Sequence, residues 1–267
     1  MDYVTLNNGV EIPQLGIGGF AQGTDEIVEA LKIGYRLIDT AAQYENEEQV
    51  GAAIKKSGIS RQGIFLSTKL WTDDIRKKRV REAFFESLKR LDVEYVDMYL
   101  IHWPAVGYAE AWVEMEKLYQ EGYIRAIGVS NCHKVHLEEI ERVSSVTPTV
   151  NQIESHPKFN NQELIDYCKA RGMQVEAWCP LGGTYGRVLE DSRIIELAQQ
   201  CGRTPAQVIL RWHMQRGIIT FPKSSRLARM QSNFDVFSFE LTSNEMAILD
   251  SLNTGRRIGA DPENFDF

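Results

Sequence analysis

Short apolar runs alternate with longer segments of helical periodicity along most of this 267-residue chain. Runs with the length and apolar content of buried strands lie at 36–40, 64–69, 95–102, 124–130, 149–154, 174–179, 218–222 and, more weakly, 235–239. The segments between them carry apolar residues at the spacing of one helix face. Because parallel strands need a crossover connection, usually a helix, this alternation predicts an α/β fold. Eight such units in one chain predict a closed (β/α)8 TIM barrel.

The two ends of the chain fall outside the repeating units. Residues 1–12 predict a β-hairpin at the bottom of the barrel, because Asn8-Gly9 between short apolar runs is a strong hairpin signal. Residues 255–267 are polar and predict a loop that contributes to the substrate pocket. No linker rich in Pro, Gly or Ser divides the units, so we expect one domain covering residues 1–267.

Three helices have clear start signals in the sequence. Thr24 is a candidate cap for the first helix, and Thr204-Pro205 combines a capping residue with proline at the first helical position. Thr242 and Glu245 have the spacing of a capping box. These signals support the alternation of strands and helices independently of the apolar periodicity.

Composition argues against several classes of function. The net charge of −7 makes nucleic acid an unsuitable main partner. The sequence has no run of about 18 apolar residues, and its first residues lack the basic and apolar regions of a signal peptide, so we expect neither a membrane span nor export. The four cysteines show no C-x-x-C spacing, which fits thiols in the reducing cytoplasm.

Polar or aromatic residues stand at the C-terminal ends of seven consecutive predicted strands. They are Asp39 with Tyr44, Lys69, His102, Ser130-Asn131, Gln152, Trp178 and Lys223-Ser224. One such residue is usually a structural hydrogen-bonding group, but a series on one rim of a barrel favours a shared site. A tyrosine could donate a proton there if a lysine lowered its pKa, with an aspartate to hold the lysine and a histidine to orient the acceptor.

Several segments resemble the aldo-keto reductase superfamily. Residues 34–41 (GYRLIDTA), with Tyr44, Glu47 and Gly51, are similar to the family's first signature. The segments STKLW (67–71), LIHWP (100–104), IGVSN (127–131) and FPKS (221–224), followed by Arg229 and Asn233, resemble its other conserved segments in the same order. The short segment between Pro104 and Trp112 makes the chain most similar to the microbial diketogluconate reductase and prostaglandin F synthase-like branch.

This resemblance implies reduction of an aldehyde or ketone to an alcohol, with hydride from the nicotinamide of NADPH. Tyr44 would be the general acid, and Lys69 would lower the pKa of its hydroxyl. Asp39 would hold Lys69 in place and keep it charged. His102 would donate a hydrogen bond to the carbonyl oxygen and orient it.

The resemblance also implies which residues bind the cofactor and the substrate. Ser130, Asn131 and Gln152 would hold the nicotinamide carboxamide, and Trp178 would stack on the ring. Lys223, Ser224 and Arg229 would grip the 2′-phosphate of NADPH. The remaining expected cofactor contacts are Pro180, Leu181 and Asn233. His102 and the aromatic residues Phe20, Trp71 and Trp103 would contact a small carbonyl substrate, and we expect a monomer.

A glycine motif offers a different interpretation of Asp39. Residues 16–21 fit G-x-G-x-x-A, and Asp39 lies near the spacing of a ribose-binding acid in a Rossmann domain. Two observations speak against that fold. Pro13 makes the preceding segment a poor central strand, and the next helix starts near Thr24, too late for the glycines to open it.

Two further alternatives keep the barrel. A metal hydrolase could use Asp39, His102 and His156, but the histidines lack a close ligand spacing such as H-x-H, so we expect no metal. A cofactor-binding sensor or regulatory barrel with little turnover would keep the NADPH site. The full set of four catalytic candidates argues against a sensor, which remains the alternative to an enzyme.

Overall fold

An antiparallel hairpin covers the bottom of the barrel. In the computed structural model, which describes residues 1–264, strands β1 (Tyr3–Thr5) and β2 (Glu11–Pro13) pair in antiparallel register. Leu6 and Ile12 are buried and form one apolar cluster with Leu37 and Phe65 of the barrel interior. The predicted N-terminal hairpin is therefore confirmed.

Within residues 1–264, eight parallel strands form the barrel wall. They are β3 (Ile17–Gly18), β4 (Leu37–Asp39), β5 (Phe65–Leu70), β6 (Val96–Ile101), β7 (Ile124–Ser130), β8 (Val150–Glu154), β9 (Gln174–Trp178) and β10 (Ile219–Thr220). Each strand pairs with the next one in chain order. A parallel bridge between Leu15 and Thr220 joins the two ends of the sheet. The predicted (β/α)8 TIM barrel is confirmed.

One of the eight strands differs from the prediction. Residues 235–238 form turns and bends, residue 239 has no regular structure, and the buried Val236 packs within the large apolar cluster instead of pairing with a strand. The eighth strand of the barrel is instead β3, which precedes the predicted first strand and was not predicted from the sequence. It is only two residues long and has a glycine on either side, so it lacks an apolar run. Gly16 is required because a Cβ there would lie 2.7 Å from Leu37 Cγ and 2.8 Å from Phe221 Cδ1.

Helices connect the strands and surround the barrel. They are α1 (Thr24–Ile33), α2 (Glu47–Ser57), α3 (Thr72–Arg76), α4 (Val80–Leu91), α5 (Tyr108–Gln120), α6 (Lys134–Val143), α7 (Gln162–Ala170), α8 (Gly183–Gly186), α9 (Ser192–Gln200), α10 (Pro205–Gln215), α11 (Leu227–Phe234) and α12 (Ser243–Asp250). Short 3-10 turns cover Ala42–Tyr44, Arg61–Gly63 and Val188–Glu190. In the described part of the chain, no helix has both the length and the apolar character needed to span a bilayer.

The capping signals are confirmed at two of the three helices. The side chains of Thr204 and Thr242 accept hydrogen bonds from backbone N–H groups at the starts of α10 and α12. At α1 the prediction is wrong by one residue, because Gly23 is the cap and Thr24 is already helical. The Glu26 carboxylate accepts a hydrogen bond from the Gly23 N–H there, at 3.1 Å. The glycine motif at 16–21 therefore lies outside the helix. The Rossmann interpretation requires these glycines at an anion-binding helix N-terminus, which the structure does not have there.

The barrel interior changes from apolar at the bottom to polar near the C-terminal rim. The apolar cluster of the interior contains Leu37, Phe65, Met98, Leu100, Ala126, Val150, Ile219 and Phe221. Nearer the rim are the buried polar side chains of Asp39, Ser67, Lys69, Ser130, Gln152 and Glu176. Such polar groups need partners inside the protein, because burial without hydrogen bonds is costly. The contacts among them define the candidate site.

Candidate active site

Lys69 and Asp39 form a buried ion pair at the polar end of the barrel interior. Lys69 lies on β5 with no exposed surface, and its Nζ donates to the two carboxylate oxygens of Asp39 at 2.8 and 2.7 Å. The third hydrogen bond of the ammonium goes to the backbone oxygen of Thr40, at 2.9 Å. Burial opposes the charge on Lys69, but Asp39, with smaller contributions from Tyr44 and Glu176, outweighs burial and raises the pKa of the lysine. Lys69 therefore carries a positive charge at neutral pH.

Tyr44 lies beside this pair, in the 3-10 turn that follows β4. The Lys69 Nζ is 5.2 Å from the centroid of the tyrosine ring. Burial raises the pKa of Tyr44, and the charge on Lys69 lowers it by less, so the net direction is upward. The expected lowering of the Tyr44 pKa by Lys69 is present, but burial outweighs it. At neutral pH the phenol keeps its proton, and Lys69 reduces the cost of losing it.

His102 follows β6 and packs among aromatic rings. Its ring centroid lies 5.6 Å from that of Tyr44 and 5.2 Å from that of Trp71, both in edge-to-face geometry. Burial and the charge on Lys69 lower the pKa of His102 well below its usual range, so the imidazole is neutral. Among residues 1–264, no group forms a hydrogen bond with its Nδ1.

Ser130, Asn131 and Trp178 form a hydrogen-bonded group at the C-terminal ends of β7 and β9. Asn131 has a left-handed backbone with φ +60° at the end of β7. Its Nδ2 donates to the backbone oxygen of His102 at 3.0 Å and to Ser130 Oγ at 3.1 Å, and its Oδ1 accepts from Trp178 Nε1 at 2.7 Å. Ser130 Oγ donates to the Gln152 backbone oxygen at 2.9 Å. The Asn131 amide keeps only one lone pair of Oδ1 for another partner.

Gln152 connects the ion pair to a buried acid that the sequence analysis did not single out. Its Nε2 donates to Asp39 Oδ1 at 3.0 Å and to Glu176 Oε2 at 2.8 Å. Burial, and next the charge on Asp39, raise the pKa of Glu176 to about 8. The signal in the sequence was a charged residue inside an otherwise apolar strand, at a position that alternation places on the interior face.

A cavity of about 980 Å³ opens at this rim. Its wall includes Asp39, Tyr44 and His102, while Lys69 lies behind Asp39. All ten residues predicted to bind the cofactor line it: Ser130, Asn131, Gln152, Trp178, Pro180, Leu181, Lys223, Ser224, Arg229 and Asn233. Of the predicted substrate-contacting aromatics, Phe20 and Trp103 line the cavity, whereas Trp71 packs on His102 instead.

Two cations mark one part of the cavity wall. Lys223 follows β10, and Arg229 lies in the first turn of α11. Both side chains are exposed, and neither forms an ion pair with a carboxylate within residues 1–264. Ser224 between them is buried, and its backbone oxygen accepts a hydrogen bond from Gln22 Nε2 at 2.9 Å. An anion could therefore approach both cations without displacing a protein partner.

Asn46, a second residue that the sequence analysis missed, holds the Phe20 loop against the Tyr44 turn. Its Nδ2 donates to the backbone oxygens of Gly19 at 2.7 Å and Gln22 at 3.0 Å. Its Oδ1 accepts from the hydroxyl of Thr40 at 2.9 Å. The Phe20 ring consequently lies 5.2 Å from the Tyr44 ring. An asparagine in a loop gives no sequence signal for these long-range contacts.

The C-terminal tail reaches the cavity wall at Trp178. The backbone N–H groups of Ile258 and Gly259 donate to the two carboxylate oxygens of Glu154 at 2.6 and 3.0 Å. A Cβ on Gly259 would collide with the Trp178 ring. The predicted tail loop therefore contacts the pocket wall as far as it is described, and its residues 265–267 lie outside the described part.

His156 has a structural contact, which bears on the metal alternative. Its Nε2 lies 3.1 Å from Glu154 Oε1, so it supports the carboxylate that holds the tail. It does not line the cavity that Asp39 and His102 share. In the described structure, no three His, Cys, Asp or Glu side chains are grouped in a way that could hold a metal ion.

Comparison with known proteins gives a consistent result over the whole chain. The model of the aldo/keto reductase family matches residues 21–254. A glyoxal reductase of Bacillus subtilis is 44% identical over 272 residues, which cover 100% of this chain and 98% of the relative. The methylglyoxal reductase DkgA of Escherichia coli is 41% identical over 269 residues, covering 98% and 97%.

A solved structure gives the same result for the fold. The crystal structure of an aldo-keto reductase from a Medee basin deep-sea metagenome library matches with a TM-score of 0.96 at 39% identity. The match covers 99% of this chain and 100% of that one. On sequence and fold together, the chain belongs to the aldo/keto reductase family of oxidoreductases.

Proposed function

We propose that the protein catalyses the NADPH-dependent reduction of aldehydes or ketones to alcohols, with Tyr44 as the general acid. The observation that carries this proposal is the charged Lys69, held by Asp39 and lying 5.2 Å from the Tyr44 ring at the cavity wall. A protonated phenol beside a fixed cation can release its proton to a developing alkoxide at lower cost.

The cavity suits a dinucleotide that carries a 2′-phosphate. Lys223 and Arg229 offer two charged donors for the phosphate, and the Ser224 segment lies between them. Gln152 and Ser130 would contact the carboxamide, together with the remaining lone pair of Asn131 Oδ1. The Trp178 indole, fixed through its N–H, would stack on the nicotinamide, and Pro180, Leu181 and Asn233 would complete the wall. When bound, the reduced nicotinamide would supply the hydride.

The side chains around the reacting carbonyl have separate tasks. Tyr44 would donate its proton to the carbonyl oxygen, and Lys69 would stabilise the phenolate that remains. His102, neutral because of its burial, would donate a hydrogen bond to the same oxygen and fix its direction. Phe20 and Trp103 would contact the substrate at the cavity wall.

We propose small reactive aldehydes as the substrate class. Relatives named glyoxal reductase and methylglyoxal reductase are 44% and 41% identical to this chain. The Phe20 side chain at the cavity wall is 60% exposed, which leaves the pocket open for small substrates to enter. We further propose that the protein acts as one domain and as a monomer in the cytoplasm, with neither nucleic acid nor a membrane as partner.

Steady-state assays with the purified protein test this function. Loss of NADPH absorbance is followed with a panel of aldehydes and ketones that includes glyoxal and methylglyoxal. We expect turnover that is insensitive to chelators, and we expect Tyr44→Phe to lower kcat by about a hundredfold or more while NADPH still binds. Tight NADPH binding without turnover on any carbonyl would favour the sensor, and inhibition by chelators would favour a metal enzyme.

A further inference from the structure

Ser130, Gln152 and Glu176 form a row across three neighbouring strands. Ser130 on β7 is in register with Gln152 on β8, and Gln152 is in register with Glu176 on β9. Residues in register on adjacent strands point to the same face of a sheet. All three side chains are buried in the barrel interior, and Ser130 and Gln152 also line the cavity. Glu176 has no exposed surface at all.

The side-chain amide of Gln152 is held by two carboxyl groups. An amide nitrogen has two hydrogens, and here one goes to Asp39 Oδ1 at 3.0 Å and the other to Glu176 Oε2 at 2.8 Å. Flipping the amide would place its oxygen against the Asp39 carboxylate, where the charges repel. The observed orientation leaves Oε1 as the polar atom that Gln152 offers to the cavity.

Glu176 can serve as an acceptor without adding a second charge. Its pKa is raised to about 8, chiefly by burial and next by the charge on Asp39, so the group is neutral at neutral pH. Asp39 and Lys69 are the charged groups that act on it. A charged Glu176 would compete with Asp39 for the single cation Lys69. The neutral acid satisfies the second N–H of Gln152 and leaves the Asp39–Lys69 pair intact.

We propose that Glu176 is a positioning residue that acts through Gln152, holding its amide so that Oε1 faces the cavity as an acceptor for the carboxamide N–H of the cofactor. This inference rests on the proposed function in one respect, the identity of the cofactor. It goes beyond that function because Glu176 touches neither cofactor nor substrate.

Two variants separate this role from a merely structural one. Glu176→Gln keeps an acceptor for Gln152 at nearly the same volume, whereas Glu176→Leu removes it and leaves one buried N–H unpaired. The dissociation constant for NADPH is measured by quenching of tryptophan fluorescence. We expect about a tenfold rise for Glu176→Leu and less than about a twofold change for Glu176→Gln. An unchanged constant in a folded Glu176→Leu protein would overturn the proposal.

A spectroscopic measurement covers the case in which Glu176→Leu does not fold. The side-chain amide resonances of Gln152 are followed by NMR in wild type and in Glu176→Gln as pH is raised through about 8, to which burial raises the pKa of Glu176. We expect them to shift with that pKa in wild type and to stay constant in the variant. Resonances that are insensitive to pH in both proteins would contradict the proposal. These results do not require turnover, so failure of the proposed function with every carbonyl would be distinguishable.

Discussion

Lys69 Nζ lies 2.7 Å from Asp39 Oδ2 and also donates to Asp39 Oδ1 and the Thr40 backbone oxygen. The lysine lowers the Tyr44 pKa first by its charge and less by a hydrogen bond. Removing one partner of a buried ion pair leaves an uncompensated charge, which is far more costly than the pair itself. Asp39 is thus the largest support for the charge on Lys69.

Replacing Asp39 by Asn is expected to lower kcat strongly and leave NADPH binding in place. Without the carboxylate, burial is the largest remaining influence on Lys69 and lowers its pKa, so its charge and its influence on Tyr44 are weakened. We expect a fall in kcat of about a hundredfold or more, measured by steady-state kinetics. The NADPH dissociation constant serves as the control. Loss of dinucleotide binding with chemistry intact would instead make Asp39 a ribose ligand.

The rate of carbonyl reduction is expected to stay level through neutral pH and to fall only under strongly alkaline conditions. Tyr44 is active as an acid when protonated, and its pKa is raised above the ordinary value of about 10. The pKa of His102 is lowered, so its protonation causes no loss above about pH 6.5. The pH dependence of kcat is also measured in the Glu176→Gln variant, where titration of Glu176 cannot contribute. A midpoint near pH 7 would show that Lys69 outweighs burial at Tyr44.

Much of the fold could be predicted from sequence because seven of the strands overlap the short segments predicted between helices. The first strand was hidden because β3 has two residues and lies among glycines, where close packing against Leu37 replaces side-chain pattern as the determinant. The apolar residues of 235–239 have the pattern of a strand, but Val236 and Phe237 pack in the large apolar cluster and Phe239 packs against a separate one. A local apolar pattern predicts that a segment is buried, but it does not predict which part of the fold the segment packs against.

The position of the site could also be predicted from the sequence, because the C-terminal ends of the strands share one rim of a barrel. The direction of the pKa shift of Tyr44 could not be predicted from the sequence, because it depends on how the effect of burial compares with that of one neighbouring charge. Asn46 and Glu176 were missed for a related reason. Their partners are distant in the sequence, with 137 residues separating Asp39 from Glu176. Only the folded chain brings such residues together.

Selectivity for NADPH over NADH is expected to depend on Lys223 and Arg229. Each is a cation without an acidic partner in the described residues, so a 2′-phosphate would gain a charge-assisted hydrogen bond from each. We expect Lys223→Ala and Arg229→Ala each to raise the KM for NADPH about tenfold, with little effect on NADH. Arg226→Ala is a matched control, because Arg226 is exposed in the same segment and does not line the cavity. Equal use of NADH and NADPH by the wild type would contradict the assignment of Lys223 and Arg229 to the 2′-phosphate.

Replacing Glu176 by Gln is expected to stabilise the protein increasingly as pH rises from 5 to 8. The folded state holds the Glu176 proton up to its pKa of about 8, whereas the unfolded chain releases it near the ordinary value of 4.5. Between these values, folding must retain a proton that the unfolded chain has lost, so stability of the wild type falls as pH rises. Glutamine does not titrate and avoids this loss.

The measurement is the difference in Tm between Glu176→Gln and wild type at a series of pH values. We expect it to grow by about 5 °C or more between pH 5 and pH 8 and then to level off, because the carboxyl is charged in both states above that point. Glu196→Gln, at an exposed position of α9, provides a surface control. A difference that is constant across this range would mean that Glu176 is charged in the folded protein, and Gln152 would then lie between two carboxylates that share one lysine.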